Sequence, residues 1–96
     1  MLEITKGDEG EIRLAGRFDA SQVEKAQSVF DALEGPTTVD FTGLEYISSA
    51  GLGVLLKTQK RIVAAAGSGL KIVNVNHHIG DIFRYSGFDQ IFDIQG

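Results

Sequence analysis

The sequence predicts an α/β domain built on a mixed β-sheet. Two short segments at the start alternate apolar and polar residues, and the Gly-Asp-Glu-Gly cluster between them predicts a tight turn. After this hairpin, segments with apolar residues at helical spacing alternate with short runs rich in β-branched residues. The predicted order is therefore β-β-α-β-α-β-α-β, in which an antiparallel hairpin precedes parallel strands that are joined by right-handed crossovers through helices packed against the sheet.

Length and composition limit the chain to one small globular unit. Its 96 residues and 10.3 kDa are enough for one core, so we expect a single domain that spans residues 1–96. Hydrophobic residues make up 43% and charged residues 23% of the chain, which is typical of globular domains and excludes disorder.

Charge and residue usage exclude several classes of partner. The net charge of −4 repels a phosphate backbone, so we expect no nucleic acid. The chain has no cysteine, so it can form neither a disulfide nor a thiolate zinc site. The longest apolar run, residues 50–56, is far too short to cross a bilayer, and the first ten residues lack the features of a secretory signal. We therefore expect a cytoplasmic protein with no membrane partner.

The hairpin places Leu2 and Ile4 on one strand and Ile12 and Leu14 on the other. The first helix is predicted to follow it, because apolar residues recur at helical spacing: Val23, Ala26, Phe30 and Leu33.

Two caps compete at the start of this first helix. Ser21 with Glu24 matches a capping box, and Asp19 with Gln22 offers an alternative. At the other end, Gly35 is followed by proline, which predicts a left-handed exit from the helix.

A buried strand and the longest helix come next. Residues 37–41 predict the strand because they are rich in β-branched and aromatic side chains, with residues 42–45 as a connection. A helix is predicted from Ser48 or Ser49 to the residue before Gly67, on an apolar stripe: Leu52, Leu55, Leu56, Ile62, Val63 and Ala66. The charged residues lie off that stripe and predict a solvated face: Lys57, Lys60 and Arg61.

The last third of the chain repeats this alternation. Residues 70–75 predict a strand, and Asn76 is the predicted cap of a third helix that Gly87 closes. The inner face of that helix is predicted to carry Ile79, Ile82 and Phe83. Residues 90–94 predict the final strand.

Most signatures of catalytic chemistry are missing. His77 and His78 are adjacent, so on a helix they point about 100° apart and cannot share a metal ion. The serines lack a nucleophile elbow, and the paired glycines lack dinucleotide or P-loop spacing. Asp19 and Asp40 raise the alternative of a phospho-accepting aspartate, but the acidic cluster that would hold magnesium there is absent from the sequence. We expect no enzymatic activity, metal or cofactor.

Ser48 and Ser49, at the predicted start of the second helix, remain as candidates. One interpretation is that a serine at this position has a purely structural role as a helix cap, and the loss of such a cap costs about 1 kcal/mol. Alternatively, the free N–H groups and the positive dipole end of a helix favour a phosphate at this position. A phosphoserine adds a charge of roughly −1.5 to −2, which suits a reversible switch.

The run at residues 40–56, DFTGLEYISSAGLGVLL, resembles the signature of the STAS family, the bacterial anti-sigma factor antagonists. Two other segments extend the resemblance over nearly the whole chain. AGRFD at residues 15–19 is similar to the glycine-acid turn of the family, and FRYSGF at residues 83–88 is similar to its closing helix and turn. The resemblance implies the same β-β-α-β-α-β-α-β order.

The resemblance also implies a partner-switching role. In the family, the unphosphorylated antagonist binds an anti-sigma serine kinase and so frees a sigma factor. The kinase ends this by phosphorylating a serine at the start of the second helix, and a PP2C-type phosphatase resets the antagonist. Alignment on Gly51 makes Ser49 the acceptor, and Ser48 stands where the best-known members have Asp. We expect a monomer or weak dimer, whose partner-facing surface comprises Phe18, Asp19, Ser48, Ser49, Ala50, Gly51 and Leu52.

Two other functions fit the same pattern. A STAS domain can serve as a scaffold or sensor in a larger assembly, with Ser49 only as a cap. It can also bind a small ligand such as a nucleotide or an anion, as the resemblance to the STAS domains of anion transporters suggests. Phosphate on Ser49 distinguishes the switch from the scaffold, and equilibrium dialysis with nucleotides tests ligand binding.

Overall fold

The computed structural model describes residues 1–95, which form five β-strands, three α-helices and two 3₁₀ turns. The strands are β1 (Leu2–Lys6), β2 (Ile12–Phe18), β3 (Thr38–Ile47), β4 (Lys71–Val73) and β5 (Asp93–Gln95). The helices are α1 (Val23–Asp31), α2 (Ser49–Ala66) and α3 (His77–Ser86), and the 3₁₀ turns are Ala20–Gln22 and Phe88–Gln90. The predicted domain includes Gly96, which lies outside the described residues.

The strands form one sheet in the order β1-β2-β3-β4-β5. β1 and β2 pair antiparallel, and every later pair is parallel, which confirms the predicted mixed sheet. Right-handed crossovers between successive parallel strands all turn to the same side, so α1, α2 and α3 lie on one face. The carboxyl ends of β2, β3 and β4 consequently meet at the same end of the sheet, called here the carboxyl end.

The hydrophobic core lies between the sheet and the helices. It combines inward-facing strand residues with three stacked or tilted rings, those of Phe41, Phe83 and Phe92, whose centroids lie 6.0 and 6.1 Å apart in succession. The opposite face of the sheet is polar, and there the Arg17 guanidinium lies 4.4 Å from the centroid of the Tyr46 ring. No helix within residues 1–95 has both the length and the apolar character needed to span a membrane.

β3 is much longer than the predicted strand. It continues through residues 42–45, which were predicted to be a connection, so that prediction is wrong. Against β2, β3 advances by an extra residue between the partners of Arg13 and Ala15, and again between those of Gly16 and Arg17. These bulges interrupt the alternation of buried and exposed side chains, which is the pattern that predicts a strand. The extension carries β3 as far as Ile47, immediately before the two serines.

The amino end of α1 is capped differently from the predicted capping box. Asp19 accepts a hydrogen bond from the backbone N–H of Ser21 at 3.0 Å and caps the 3₁₀ turn, while α1 itself begins only at Val23. Asp19 therefore caps the 3₁₀ turn and not α1, whose own N-cap, Gln22, makes no side-chain cap bond. The predicted capping box of Ser21 with Glu24 is wrong.

The carboxyl end of α1 also differs from the prediction. The helix ends at Asp31, with Ala32 in the right-handed conformation, so the left-handed exit predicted at Gly35 is wrong. Arg61 of α2 donates to the carbonyl oxygens of Phe30 at 2.9 Å and Leu33 at 2.8 Å. A side chain that was predicted to be merely solvated thus satisfies carbonyl groups that the end of α1 leaves without a helical partner.

The predicted boundaries of α2 and α3 are confirmed. Ser48 and Asn76 are the N-caps, and Gly67 and Gly87 adopt the left-handed conformation at the C-caps. The apolar stripe of α2 is buried at Leu52, Leu55 and Ile62, and Leu56 is half-buried.

The predicted apolar stripe is not buried in the last turns of α2. Val63 is 40% exposed and Ala66 is exposed, so their predicted burial is wrong. Val63 borders a cleft of about 530 Å³ whose lining also includes Pro36 and Ile91. The cleft leaves this part of the helix partly uncovered.

The last two strands are shorter than predicted. β4 stops at Val73 because Asn74 adopts a left-handed conformation with a φ of 58°, and its amide donates to the carboxylate of Asp40 at 3.0 Å. β5 begins only at Asp93, because residues 88–90 form a 3₁₀ turn where residues 90–94 were predicted to be strand.

Candidate functional site

The two segments that carry the candidate residues begin side by side. Phe18 and Ile47, the last residues of β2 and β3, are paired in the sheet. The backbone N–H of Ser48 extends this pairing by donating to the carbonyl oxygen of Phe18 at 2.9 Å. The 3₁₀ turn after β2 therefore contacts the start of α2, and both lie at the carboxyl end of the sheet.

Ser48 is committed to capping α2. Its backbone is extended, with a φ of −84° and a ψ of 167°, and its hydroxyl oxygen accepts from the backbone N–H of Gly51 at 3.1 Å. The residue is half-buried. Its hydroxyl group is thus already used in holding the helix.

Ser49 is the first residue of α2, and it is exposed together with Ala50. Because the first N–H groups of a helix have no helical acceptor, this end of α2 offers donors and a positive dipole end to an anion. The sequence from Ser49 to Leu56 contains no charged residue. An anion on the Ser49 hydroxyl would therefore interact with the backbone dipoles of the helix start. The first two turns of α2 contribute no lysine or arginine to pair with it.

Asp19 supplies a negative charge beside this helix start. Hydrogen bonding from the Ser21 hydroxyl lowers the pKa of the Asp19 carboxyl, and burial opposes this shift. The backbone N–H of Ser21 and the charge of Arg17 lower the pKa further. The carboxyl is therefore ionised at neutral pH. Because its pKa is depressed, the stability contributed by these contacts is present above about pH 4 and is lost as the pH falls through the lowered pKa.

The seven residues predicted to face a partner divide into a surface set and a supporting set. Ser49 and Ala50 are exposed, and Asp19 and Ser48 are partly exposed. The remaining three are buried beneath them: Phe18, Gly51 and Leu52. The buried three shape the site from below without presenting a side chain to a partner.

Gly51 lets the start of α2 approach the sheet closely. A Cβ atom built on this glycine would lie 3.0 Å from a side-chain carbon of Ile47 and 3.0 Å from the ring of Phe18. Any side chain larger than hydrogen would press α2 away from the ends of β2 and β3, and the exposed hydroxyl of Ser49 would move with it.

A matched pair of glycines in α2 tests this close approach. Gly53→Ala should raise the free energy of unfolding by about 1 kcal/mol, because nothing lies within 4 Å of the added Cβ and alanine favours the helix. Gly51→Ala should be about 1–3 kcal/mol less stable than Gly53→Ala, because overpacking against Ile47 and Phe18 offsets the same gain. Thermal melting of the two variants measures the difference. Equal melting temperatures would show that the contact around Gly51 is not tight.

Gln22 and Ser21 belong to the site, although the sequence analysis did not assign them to it. The Gln22 amide donates to the Ser21 hydroxyl at 3.2 Å and accepts from the backbone N–H of Leu2 at 3.2 Å. Together with the bond from Ser21 to Asp19, these contacts link β1 to the turn. The only sequence signal was the proximity of both residues to Asp19, since the partner on β1 lies 20 positions away.

Asp40 does not resemble a phospho-accepting aspartate. Burial raises its pKa, but hydrogen bonds from Thr42 and Asn74 outweigh burial and lower the pKa overall. The described residues contain no group of three or more histidine, cysteine or acidic side chains that could hold a metal ion. The carboxyl end of the sheet, with Ser49 and Asp19, is thus the best candidate site in residues 1–95.

Comparison with known proteins gives consistent matches. A family model described as "Mlab, STAS domain" matches residues 2–95. The anti-sigma factor antagonist BtrV of Bordetella bronchiseptica, so described, is 35% identical over 75 residues, which are 78% of this chain. The match spans 58% of the length of that relative.

Solved structures show the same fold. The chain is similar to the anti-sigma factor antagonist SpoIIAA in its unphosphorylated form, with a TM-score of 0.74 and 17% identity, over 98% of this chain and 87% of that one. It is also similar to SpoIIAA of Bacillus in the phosphorylated form, with a TM-score of 0.66 and 17% identity, over 98% and 90%. An anti-sigma factor antagonist from Mycobacterium paratuberculosis has a TM-score of 0.78 and 16% identity, over 99% and 84%. At these identities the likeness concerns the fold alone.

Proposed function

Because the chain belongs to the STAS-domain family, as its sequence predicted, we propose that it acts as an anti-sigma factor antagonist. In its unphosphorylated form it binds an anti-sigma serine kinase and so frees a sigma factor. The kinase switches it off by phosphorylating Ser49, and a PP2C-type phosphatase restores it. The chain acts by binding and catalyses no reaction itself.

The descriptions of the relatives support the antagonist role. BtrV and two structural neighbours are described as anti-sigma factor antagonists, and one of them is known in unphosphorylated and phosphorylated forms. The description of the family model names no sigma factor, so this role depends on the relatives rather than on the family alone.

One geometric observation carries the choice of Ser49 as the phosphate acceptor. Of the two adjacent serines, Ser48 uses its hydroxyl to cap α2 and is half-buried, whereas Ser49 is exposed at the first position of the helix. A kinase must reach the hydroxyl it modifies, and the helix start can accommodate the phosphate that results.

The partner is proposed to contact the surface that surrounds Ser49. This surface comprises Asp19, Ser48, Ser49 and Ala50, with Phe18, Gly51 and Leu52 supporting it from below. Small side chains at the start of α2 let another protein approach the helix backbone closely, and the ionised Asp19 gives the surface one fixed negative charge.

Phosphopeptide sequencing tests the assignment. After incubation with ATP and the serine kinase that the unphosphorylated chain retains from its native lysate, we expect phosphate on Ser49 and not on Ser48. Ser49→Ala should remove the phosphate and remain bound to the kinase in the presence of ATP. Ser48→Ala is the matched control, which should lose about 1 kcal/mol of stability through the missing cap but still accept phosphate.

Two outcomes would contradict the proposal in different ways. Phosphate on Ser48 alone would move the acceptor by one residue and leave the antagonist role in place. Stoichiometric binding of a partner without any phosphate would favour a STAS scaffold, in which Ser49 serves only the structure of the helix start.

A further inference from the structure

β1 ends the sheet order, so one side of it has no neighbouring strand within residues 1–95. An unpaired strand edge normally invites another strand, because its free N–H and C=O groups form a ready template. The side-chain contacts made at that edge do not involve Ser49 or the start of α2.

The pairing with β2 determines which residues of β1 face the free edge. Arg17 N–H donates to the carbonyl oxygen of Met1 at 2.9 Å, and Gly7 N–H donates to that of Glu11 at 2.8 Å. In an antiparallel ladder, bonded and non-bonded pairs alternate, so the odd-numbered residues of β1 bond to β2. The N–H and C=O groups of three residues therefore point outward: Leu2, Ile4 and Lys6.

Side chains from the turn and α1 occupy the first of these three positions. Gln22 accepts from the N–H of Leu2 at 3.2 Å, and the ammonium group of Lys25 donates to the C=O of Leu2. Both backbone groups of Leu2 that an added strand would need are thus already bonded. Ile4 and Lys6 carry no such side-chain bond among the described residues.

A second copy of this chain is the partner that the edge would fit. Two β1 strands related by a two-fold axis can pair antiparallel with Ile4 opposite Ile4, which places Leu2 opposite Lys6 on both sides of the axis. Beside β1 lies a cleft of about 250 Å³, largely apolar, whose lining includes Ile4, Val29 and Leu33. In the paired arrangement the two Ile4 side chains would meet above these clefts and bury apolar surface.

The two-fold symmetry doubles the number of backbone pairs that are lost when Leu2 is already bonded. Each copy contributes one bonded Leu2, so two of the three backbone pairs in this register are lost and only the pair of Ile4 with Ile4 remains. We infer that the side chains of Gln22 and Lys25 prevent β1 from pairing with β1 of a second copy of this chain, and that they thereby keep the chain monomeric.

Removal of both side chains tests the inference. Gln22→Ala combined with Lys25→Ala should raise the mass measured by sedimentation from 10.3 kDa to about twice that value as concentration increases. Gln27→Ala combined with Lys57→Ala is the matched control, because it removes the same residue types from helix positions that make no hydrogen bond to Leu2, and it should remain at 10.3 kDa.

A third substitution shows whether the dimer forms through β1. Ile4→Pro removes an N–H that points away from β2, so the hairpin ladder is kept while the pair at the two-fold axis is lost. Added to the double variant, it should return the mass to 10.3 kDa. A double variant that stays monomeric with a native circular dichroism spectrum, forms larger aggregates, or dimerises regardless of Ile4→Pro would overturn the inference.

Hydrogen exchange on the unaltered chain provides a measurement that does not depend on the variants folding. The N–H of Leu2 should exchange more slowly than those of Ile4 and Lys6, although it lies nearer the terminus, because Gln22 accepts its hydrogen bond. Equal or faster exchange at Leu2 would show that the cap does not form in solution and would also overturn the inference.

Discussion

Phosphorylation of Ser49 is expected to weaken binding to the proposed partner, an anti-sigma serine kinase, at least tenfold while the fold persists. At a helix amino terminus an added anion stabilises the helix by roughly 0.3–1 kcal/mol, so the melting temperature should stay the same or rise by a few degrees. The same phosphate, with a charge of roughly −1.5 to −2, would have to lose water when the partner docks. A penalty of only about 1.4 kcal/mol is enough for a tenfold loss of affinity.

The neighbourhood of Ser49 explains why this chain would not neutralise the phosphate. The first two turns of α2 contain no charged residue, and the adjacent turn carries the ionised Asp19. Phosphate and carboxylate would then place two negative groups on the surface that has to be buried. Repulsion between them should raise the pKa of Asp19, which carboxyl chemical shifts can follow by NMR.

Calorimetric titration and thermal melting of both phosphorylation states measure the expected effect. Ser49→Asp should reproduce it only in part, because a carboxylate brings one charge and two oxygens. Ser28→Asp is the control, since it adds the same charge to an exposed position of α1 and should leave the affinity unchanged. A melting temperature lowered by about 10 °C, which corresponds to roughly 2 kcal/mol for a domain of this size, would show that phosphate disrupts the fold instead.

Replacement of Gln59 by leucine is expected to have the largest effect on stability. Gln59 is a buried residue of α2, whose side-chain oxygen accepts from the N–H of Leu70 at 2.6 Å and whose amide donates to the carbonyl oxygen of Ile91 at 2.8 Å. Gln59→Leu leaves the buried N–H of Leu70 without an acceptor, whereas Ile91 is 42% exposed, so that water can replace the lost donor to its carbonyl oxygen. We expect a loss of about 2 kcal/mol, or a melting temperature lower by roughly 8–16 °C.

Two further variants separate the lost hydrogen bonds from a general change in the core. Thr58→Val alters the adjacent buried residue, but its hydroxyl bonds only to Val54 within the helix, so less than about 1 kcal/mol should be lost. Gln59→Glu keeps the acceptor for Leu70 but offers a donor to Ile91 only when it is protonated. Its pKa should therefore be raised in the folded state, so that the stability present at low pH is lost as the pH rises through that value. A Gln59→Leu variant as stable as Thr58→Val would contradict the role of Gln59.

The elements with strong local signals were predictable from the sequence. The caps at Ser48 and Asn76 and the left-handed exits at Gly67 and Gly87 form where the residue types require them. The full length of β3 was not predictable, because its two bulges depend on how β2 lies beside it. Local patterns can describe a strand only while its side chains alternate.

The exposure of Ser49 at the start of α2 agrees with the helix start that was predicted there, whereas the burial of Phe18 was not predicted. Phe18 lies beneath the surface around Ser49 rather than on it. The polar contacts that hold the surroundings together join distant parts of the chain. Gln59 and Ile91 lie 32 positions apart, and Arg61 and Phe30 lie 31 apart, so no local pattern relates them.

The order β1-β2-β3-β4-β5 has a consequence for how the domain assembles. Every strand pairs with the one made just before it, so the sheet grows in one direction as the chain leaves the ribosome. Synthesis of 96 residues takes roughly 5–20 s. Small domains in which neighbouring strands of the sequence pair with each other fold within milliseconds to seconds. The hairpin can therefore form while later strands are still being translated. The free edge of β1 then lies on the side of the hairpin opposite to the side on which β3 is added. The short β5 joins last, and we expect its amides to be among the first to exchange when the folded domain opens.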